Sequence, residues 1–132
     1  MSTRSNIIVM GSQSWEQPIQ LYRHCDGYPD SEHGVLATLK EAIRFCWQFP
    51  RFEASDFSAA IIRAWKKEGG GNIYIDGVAD GDKYLHGDIE WLYVIRPPQG
   101  ESIMPRVEVW RPHNYPNGSP VWTGLFGEPW EK

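Results

Sequence analysis

The chain has only two cysteines among its 132 residues, Cys25 and Cys46, too few for a disulfide framework or a zinc knuckle. Two free thiols are expected, with Cys46 as buried filler on a helix face. Long apolar runs are missing, and only the four apolar residues Ile7 to Met10 follow Asn6 before Gly11, short of a membrane span or a signal-peptide core. Positive charge is in the minority. Lys and Arg number 13 against 17 Asp and Glu, a formal charge of −4, which argues against a broad nucleic-acid-binding face. Enzyme signatures are lacking too: there is no Gly-x-Ser-x-Gly elbow, no Walker loop and no Gly-x-Gly-x-x-Gly fingerprint. Neither an internal repeat nor a domain linker interrupts the chain. These absences leave a soluble, cytoplasmic, single domain over residues 1–132.

Aromatic residues are abundant by contrast, with seven Trp, six Tyr and five Phe. Large rings bury much area each, so a chain of this length has the means to build a core. Strand candidates Asn6 to Met10 and Ile19 to His24 flank a turn-rich loop and predict an amino-terminal hairpin. Asp26-Gly27-Tyr28-Pro29-Asp30 forces a turn, because Gly27 supplies unusual backbone angles and Pro29 biases Tyr28 away from helix.

Leu36, Leu39, Ile43 and Cys46 then recur at spacings of three and four, which predicts a helix from Gly34 to Phe49, ended by Pro50. A second helix is expected from a cap at Ser55 through Phe57, Ala60, Ile61, Ala64 and Trp65 to Lys66-Lys67, stopped by Gly69-Gly70-Gly71. Beyond Gly71 the period becomes two. Residues Asn72 to Val78, Lys83 to Ile95, Arg106 to Arg111 and Val121 to Phe126 read as strands. The order ββααββββ predicts an α+β fold: a mostly antiparallel sheet of about six strands with two helices packed on one face.

Two His-x-Asp elements stand out, His24-Cys25-Asp26 and His86-Gly87-Asp88, the second continuing to Glu90. On an extended strand, His86, Asp88 and Glu90 would share one face. Together with His24 and Asp26 they form a candidate metal or proton-transfer set, suited to zinc, manganese or iron. The competing reading is architectural: His24, Asp26, Gly27, Tyr28 and Pro29 fix a turn through hydrogen bonds. Apart from a divalent metal at that set, no cofactor is expected. Asp76, Asp80 and Asp82 are spaced somewhat like a calcium loop but lack its closing Glu, so a solvated hairpin turn is the better reading.

Late in the chain Trp110, Arg111, Tyr115, Trp122 and Trp130 gather among prolines, residue types enriched at protein interfaces. They are the candidate interface, for a protein partner or a homodimer, on a sheet face that two helices leave uncovered.

Ser2-Thr3-Arg4-Ser5-Asn6-Ile7, Tyr22-Arg23-His24-Cys25-Asp26-Gly27-Tyr28-Pro29 and His86-Gly87-Asp88-Ile89-Glu90-Trp91-Leu92-Tyr93 occur in that order. In this the chain resembles a group of small uncharacterised proteins from phages, prophages and other mobile elements. Cys25 stands where that pattern carries Trp. The resemblance implies a mobile-element accessory protein, integron cassettes included, that acts by binding a protein partner, and it brings no activity with it.

Overall fold

The computed structural model describes residues 3–30, 32–67, 72–78 and 87–126. Among them run the strands β1 (Ser5–Val9) and β2 (Ile19–Arg23) and the helices α1 (Val35–Ala42) and α2 (Ala54–Lys66). The strands β3 (Ile73–Val78), β4 (Trp91–Arg96), β5 (Arg106–Trp110) and β6 (Trp122–Leu125) follow, with a 3-10 turn at Pro112–Asn114 between the last two. The α+β order ββααββββ is as expected. None of the described helices is long and apolar enough to cross a membrane.

All six strands form one sheet in the order β3-β2-β1-β4-β5-β6. β1 and β2 form the amino-terminal hairpin, Ser5 opposite Arg23 and Val9 opposite Ile19. Every pairing is antiparallel except one: β4 lies parallel to β1, with Ser5 opposite Trp91 and Val9 opposite Ile95. β3 occupies the free side of β2, so the chain after it must cross to the other side of β1 to continue the sheet. A crossover of that kind delivers a parallel strand.

Alternation along the strands divides two cores. Ile7, Val9, Leu21, Tyr93, Ile95, Val107 and Val109 point toward the helices, where they meet Val35, Leu39, Phe57, Ile61 and Trp65. Ile8, Tyr22, Leu92, Val94 and Trp110 point the other way and form a smaller cluster with Ile89 and Tyr115.

The α2 stripe Phe57, Ala60, Ile61, Ala64 and Trp65 is buried as its spacing predicts. Its start differs, since Glu53 rather than Ser55 is the capping position and makes no side-chain cap. The missing partner comes from elsewhere in the chain: Glu16 Oε2 accepts the Ala54 N–H at 2.8 Å. Helix α1 stops at Ala42, well short of Phe49. The N–H groups of Ile43, Arg44 and Phe45 bond three residues back, a tightening that closes the helix. Phe49 beyond that point packs onto the core instead, 6.4 Å from Phe57 and 6.3 Å from Phe52, while Trp47 stays exposed. Cys46 therefore sits in the coil after the helix, half-buried, and burial with the nearby Asp56 charge pushes its thiol up.

Candidate functional site

The end of β2 splits the most distinctive sequence segment across the sheet. Tyr22 and His24 face away from the helices, while Arg23 faces them. The loop that follows is held from several sides. Asp26 adopts a left-handed backbone, φ 55°, which Asp tolerates, and its Oδ1 accepts the Tyr28 hydroxyl at 2.9 Å. Gly27 donates its N–H to Thr3 O at 2.9 Å, and its carbonyl accepts the buried Tyr93 hydroxyl at 2.6 Å. The carbonyls of Tyr28 and Pro29 then accept the N–H groups of Val35 and Leu36, satisfying the otherwise orphaned first turn of α1.

A side chain at Gly27 has no room. Its Cβ would lie 2.7 Å from Thr3 O and 2.8 Å from Ser5 Oγ. Gly27→Ala should therefore cost about 2 kcal/mol by overpacking, read as a lowered urea midpoint at unchanged slope. A midpoint equal to wild type would show that the loop can move aside.

Arg23 is the centre of the helix-facing side. Its residue is 4% exposed, and its guanidinium lies over the Trp65 ring. Nε donates to Cys25 O at 2.9 Å, Nη1 to Thr38 Oγ1 at 3.1 Å and Nη2 to His33 O at 2.9 Å. All three acceptors are uncharged. Burial draws the guanidinium down to about 9, the Asp26 charge partly opposing, so Arg23 is a cation at neutral pH.

Beside it opens a cavity of about 320 Å³, lined also by Thr38, Ala64, Trp65, Glu41, Arg44 and Lys67. At its rim Glu41 Oε1 accepts Arg44 Nη1 at 2.9 Å and Lys67 Nζ at 3.1 Å. The Lys67 hydrogen bond, followed by the Arg44 charge, holds the Glu41 carboxyl below its ordinary value. Glu32 and His33 also line the cavity and pair with each other at 3.3 Å.

The candidate metal set is distributed differently from its strand-based expectation. β4 begins only at Trp91, and Gly87 and Asp88 form a turn, residue types that strands disfavour. Alternation consequently does not align Asp88 with Glu90. Asp88 pairs with Arg4 at 3.1 Å, and Glu90 is exposed, its N–H donating to Arg4 O and its carbonyl accepting Arg111 Nη1. His24 Nδ1 is hydrogen-bonded to Tyr22 Oη at 3.1 Å. Burial, then the Asp88 charge, raises the Tyr22 hydroxyl. Asp26 is turned into its own loop. His86, Asp80 and Asp82 lie outside the described residues, among which no three His, Cys, Asp or Glu side chains gather.

Among the described residues, the late aromatic side chains do not form one surface. Trp110 faces away from the helices, 5% exposed, its Nε1 donating to Glu108 Oε1 at 3.0 Å and its ring meeting Tyr115 edge-on at 5.0 Å. Trp122 pairs with Val109 on the opposite face and packs against the helix-side core. Arg111 stacks over Trp91 at 3.7 Å. Trp130 lies outside the described residues.

Exposed apolar area instead marks the other edge of the sheet. Ile75 on β3 is 68% exposed and Tyr74, on the opposite face, 52%. Ile75, Ile19, Leu21, Ala59 and Ile62 line an almost wholly apolar groove of about 310 Å³ between β3 and α2. The sequence held signals for both features. Ile19, Leu21 and Arg23 alternate, which puts an arginine at a core-facing strand position, and Ile73 with Ile75 repeats the period on a strand whose edge place is decided only by topology.

No family model matches this chain, nor does any of the curated proteins or solved structures compared with it.

Proposed function

We propose that the protein is a non-enzymatic, cytoplasmic accessory protein of a mobile element that binds another polypeptide along the β3 edge, in the first instance a second copy of itself. The exposed Ile75 beside its apolar groove carries this reading. An edge strand offers backbone donors and acceptors to an incoming strand, and an antiparallel pair about a two-fold axis is self-complementary. Such a pair sets Ile75 of each copy toward the groove of the other. The three-segment likeness to mobile-element proteins supports an accessory role, and two free cysteines suit a reducing compartment.

This edge takes the place of the late tryptophans as the binding surface. Trp110 and Trp122 are already engaged within the chain, on opposite faces of the sheet. Sedimentation of the wild type should give concentration-dependent dimers in the micromolar range. Ile75→Asp should weaken the association at least about tenfold, the loss of one central, well-packed contact. A wild type that stays monomeric at high micromolar concentration, or a variant that dimerises equally well, would overturn the reading.

A further inference from the structure

We propose that the cavity beside Arg23 is a binding site for a phosphate group carried by a small metabolite. Unbalanced charge is the first reason. A guanidinium has five N–H donors, and only three hydrogen bonds run from Arg23 to the described residues, each to a neutral oxygen. A cation buried in this way has given up its hydration, and among the described residues no carboxylate forms an ion pair with it, the Asp26 charge acting without such a contact, so an incoming anion supplies a direct countercharge.

The rim adds to this. Arg44 and Lys67 both converge on a single oxygen of Glu41, leaving further donors on each side chain. Glu32, whose side chain is 86% exposed, points to solvent and pairs with His33 rather than with the three cations. Arg23, Arg44 and Lys67 thus face the cavity against two carboxylates among the described residues, Glu41 at the rim and the solvent-turned Glu32, and only Glu41 pairs with any of the three.

The arrangement favours phosphate over carboxylate. A carboxylate offers two oxygens in one plane and suits a single guanidinium fork. Phosphate offers three oxygens and up to two negative charges, which suits cations supplied by β2, by the turn after α1 and by the end of α2. Thr38 and Trp65 line the wall beside Arg23, and because the Thr38 hydroxyl already accepts from Arg23 and donates to Gly34 O, that wall offers the organic part mainly apolar and aromatic contact. The volume, about 320 Å³, is at the lower end for ligand sites and restricts that part to a small group.

Titration calorimetry with inorganic phosphate at fixed ionic strength tests the site, with acetate as the carboxylate comparator and chloride as the baseline. Wild type should bind one phosphate per chain with a saturable isotherm, and acetate more weakly. Because Arg23 also supports the fold, the decisive variants are at the rim. Lys67→Ala and Arg44→Ala should each weaken phosphate about tenfold, one charge-assisted hydrogen bond apiece.

Glu41→Gln should act in the opposite direction and tighten binding, since it removes the carboxylate that competes for the same two cations. Ile75→Asp should leave the isotherm unchanged, which separates this site from the β3 edge. No saturable phosphate binding, equal binding in the rim variants, or acetate binding as tightly as phosphate would overturn the proposal.

Discussion

Phe57→Ala is expected to destabilise the fold by about 4 kcal/mol, the range for removing a large buried ring. Phe57 is fully buried, and it is the place where separate parts of the chain meet. Its ring centroid lies 5.3 Å from Phe52, 5.3 Å from Phe126 and 6.4 Å from Phe49. Truncation therefore leaves a void bounded by α2, the segment ahead of it and the residue after β6. Those neighbours are themselves rings held by other contacts, so the void cannot close by rotation of one side chain. Urea denaturation followed by tryptophan fluorescence measures the loss. A cost under about 1.5 kcal/mol would mean that the aromatic cluster repacks around the gap.

Arg23→Ala is expected to cost about 3 kcal/mol, for a different reason. The variant removes the Arg23 hydrogen bonds to Cys25 O, His33 O and Thr38 Oγ1 and uncovers one face of Trp65. Arg23→Lys should recover less than half of that loss, because a point charge cannot reach three acceptors as a planar fork does. Full recovery by lysine would show that charge alone matters.

The pH dependence has a definite sign. Below about 9 the guanidinium is protonated in both folded and unfolded chains, so the difference between wild type and Arg23→Ala should be constant across neutral pH. As pH rises from about 9 toward the ordinary arginine value, the folded chain gives up the proton while the unfolded chain still holds it, and this linkage favours the fold.

Sequence periodicity makes the fold class readable because strands and helices carry their burial pattern locally. Ile7 and Val9 alternate with Ile8, and Phe57, Ala60, Ile61 and Ala64 keep helical spacing, without reference to anything distant. What periodicity leaves open depends on partners far along the chain. Helix α1 looks longer in the sequence because Ile43 and Cys46 continue its stripe, yet Phe49 is recruited by Phe52 and Phe57. Ser55 looks like the start of α2 because the residue that satisfies its first turn, Glu16, is remote in sequence.

Candidate sites are obscured in the same way. Trp110 and Trp122 are near neighbours along the chain, but the register of β5 with β6 sends them to opposite faces. Asp88 and Glu90 would share a face only if the strand reached back past Trp91. Arg23 stands in plain sight within Tyr22-Arg23-His24. Its importance emerges only once α1 and α2 have closed over it.

The parallel pairing of β1 with β4 bears on how the chain matures as it leaves the ribosome. Ser5–Val9 is made early, yet one of its two neighbours, Trp91–Arg96, is translated more than 80 residues later. At about 5–20 residues per second that interval lasts seconds, during which β1 has β2 on one side and bare backbone on the other. A nascent chain ending after Val78 holds three strands and both helices, with Ile7 and Val9 lacking Tyr93 and Ile95 beside them. Completion of the sheet around β1 is thus deferred until Trp91–Arg96 has been synthesised, and the half-made sheet is the stage most exposed to wrong pairing.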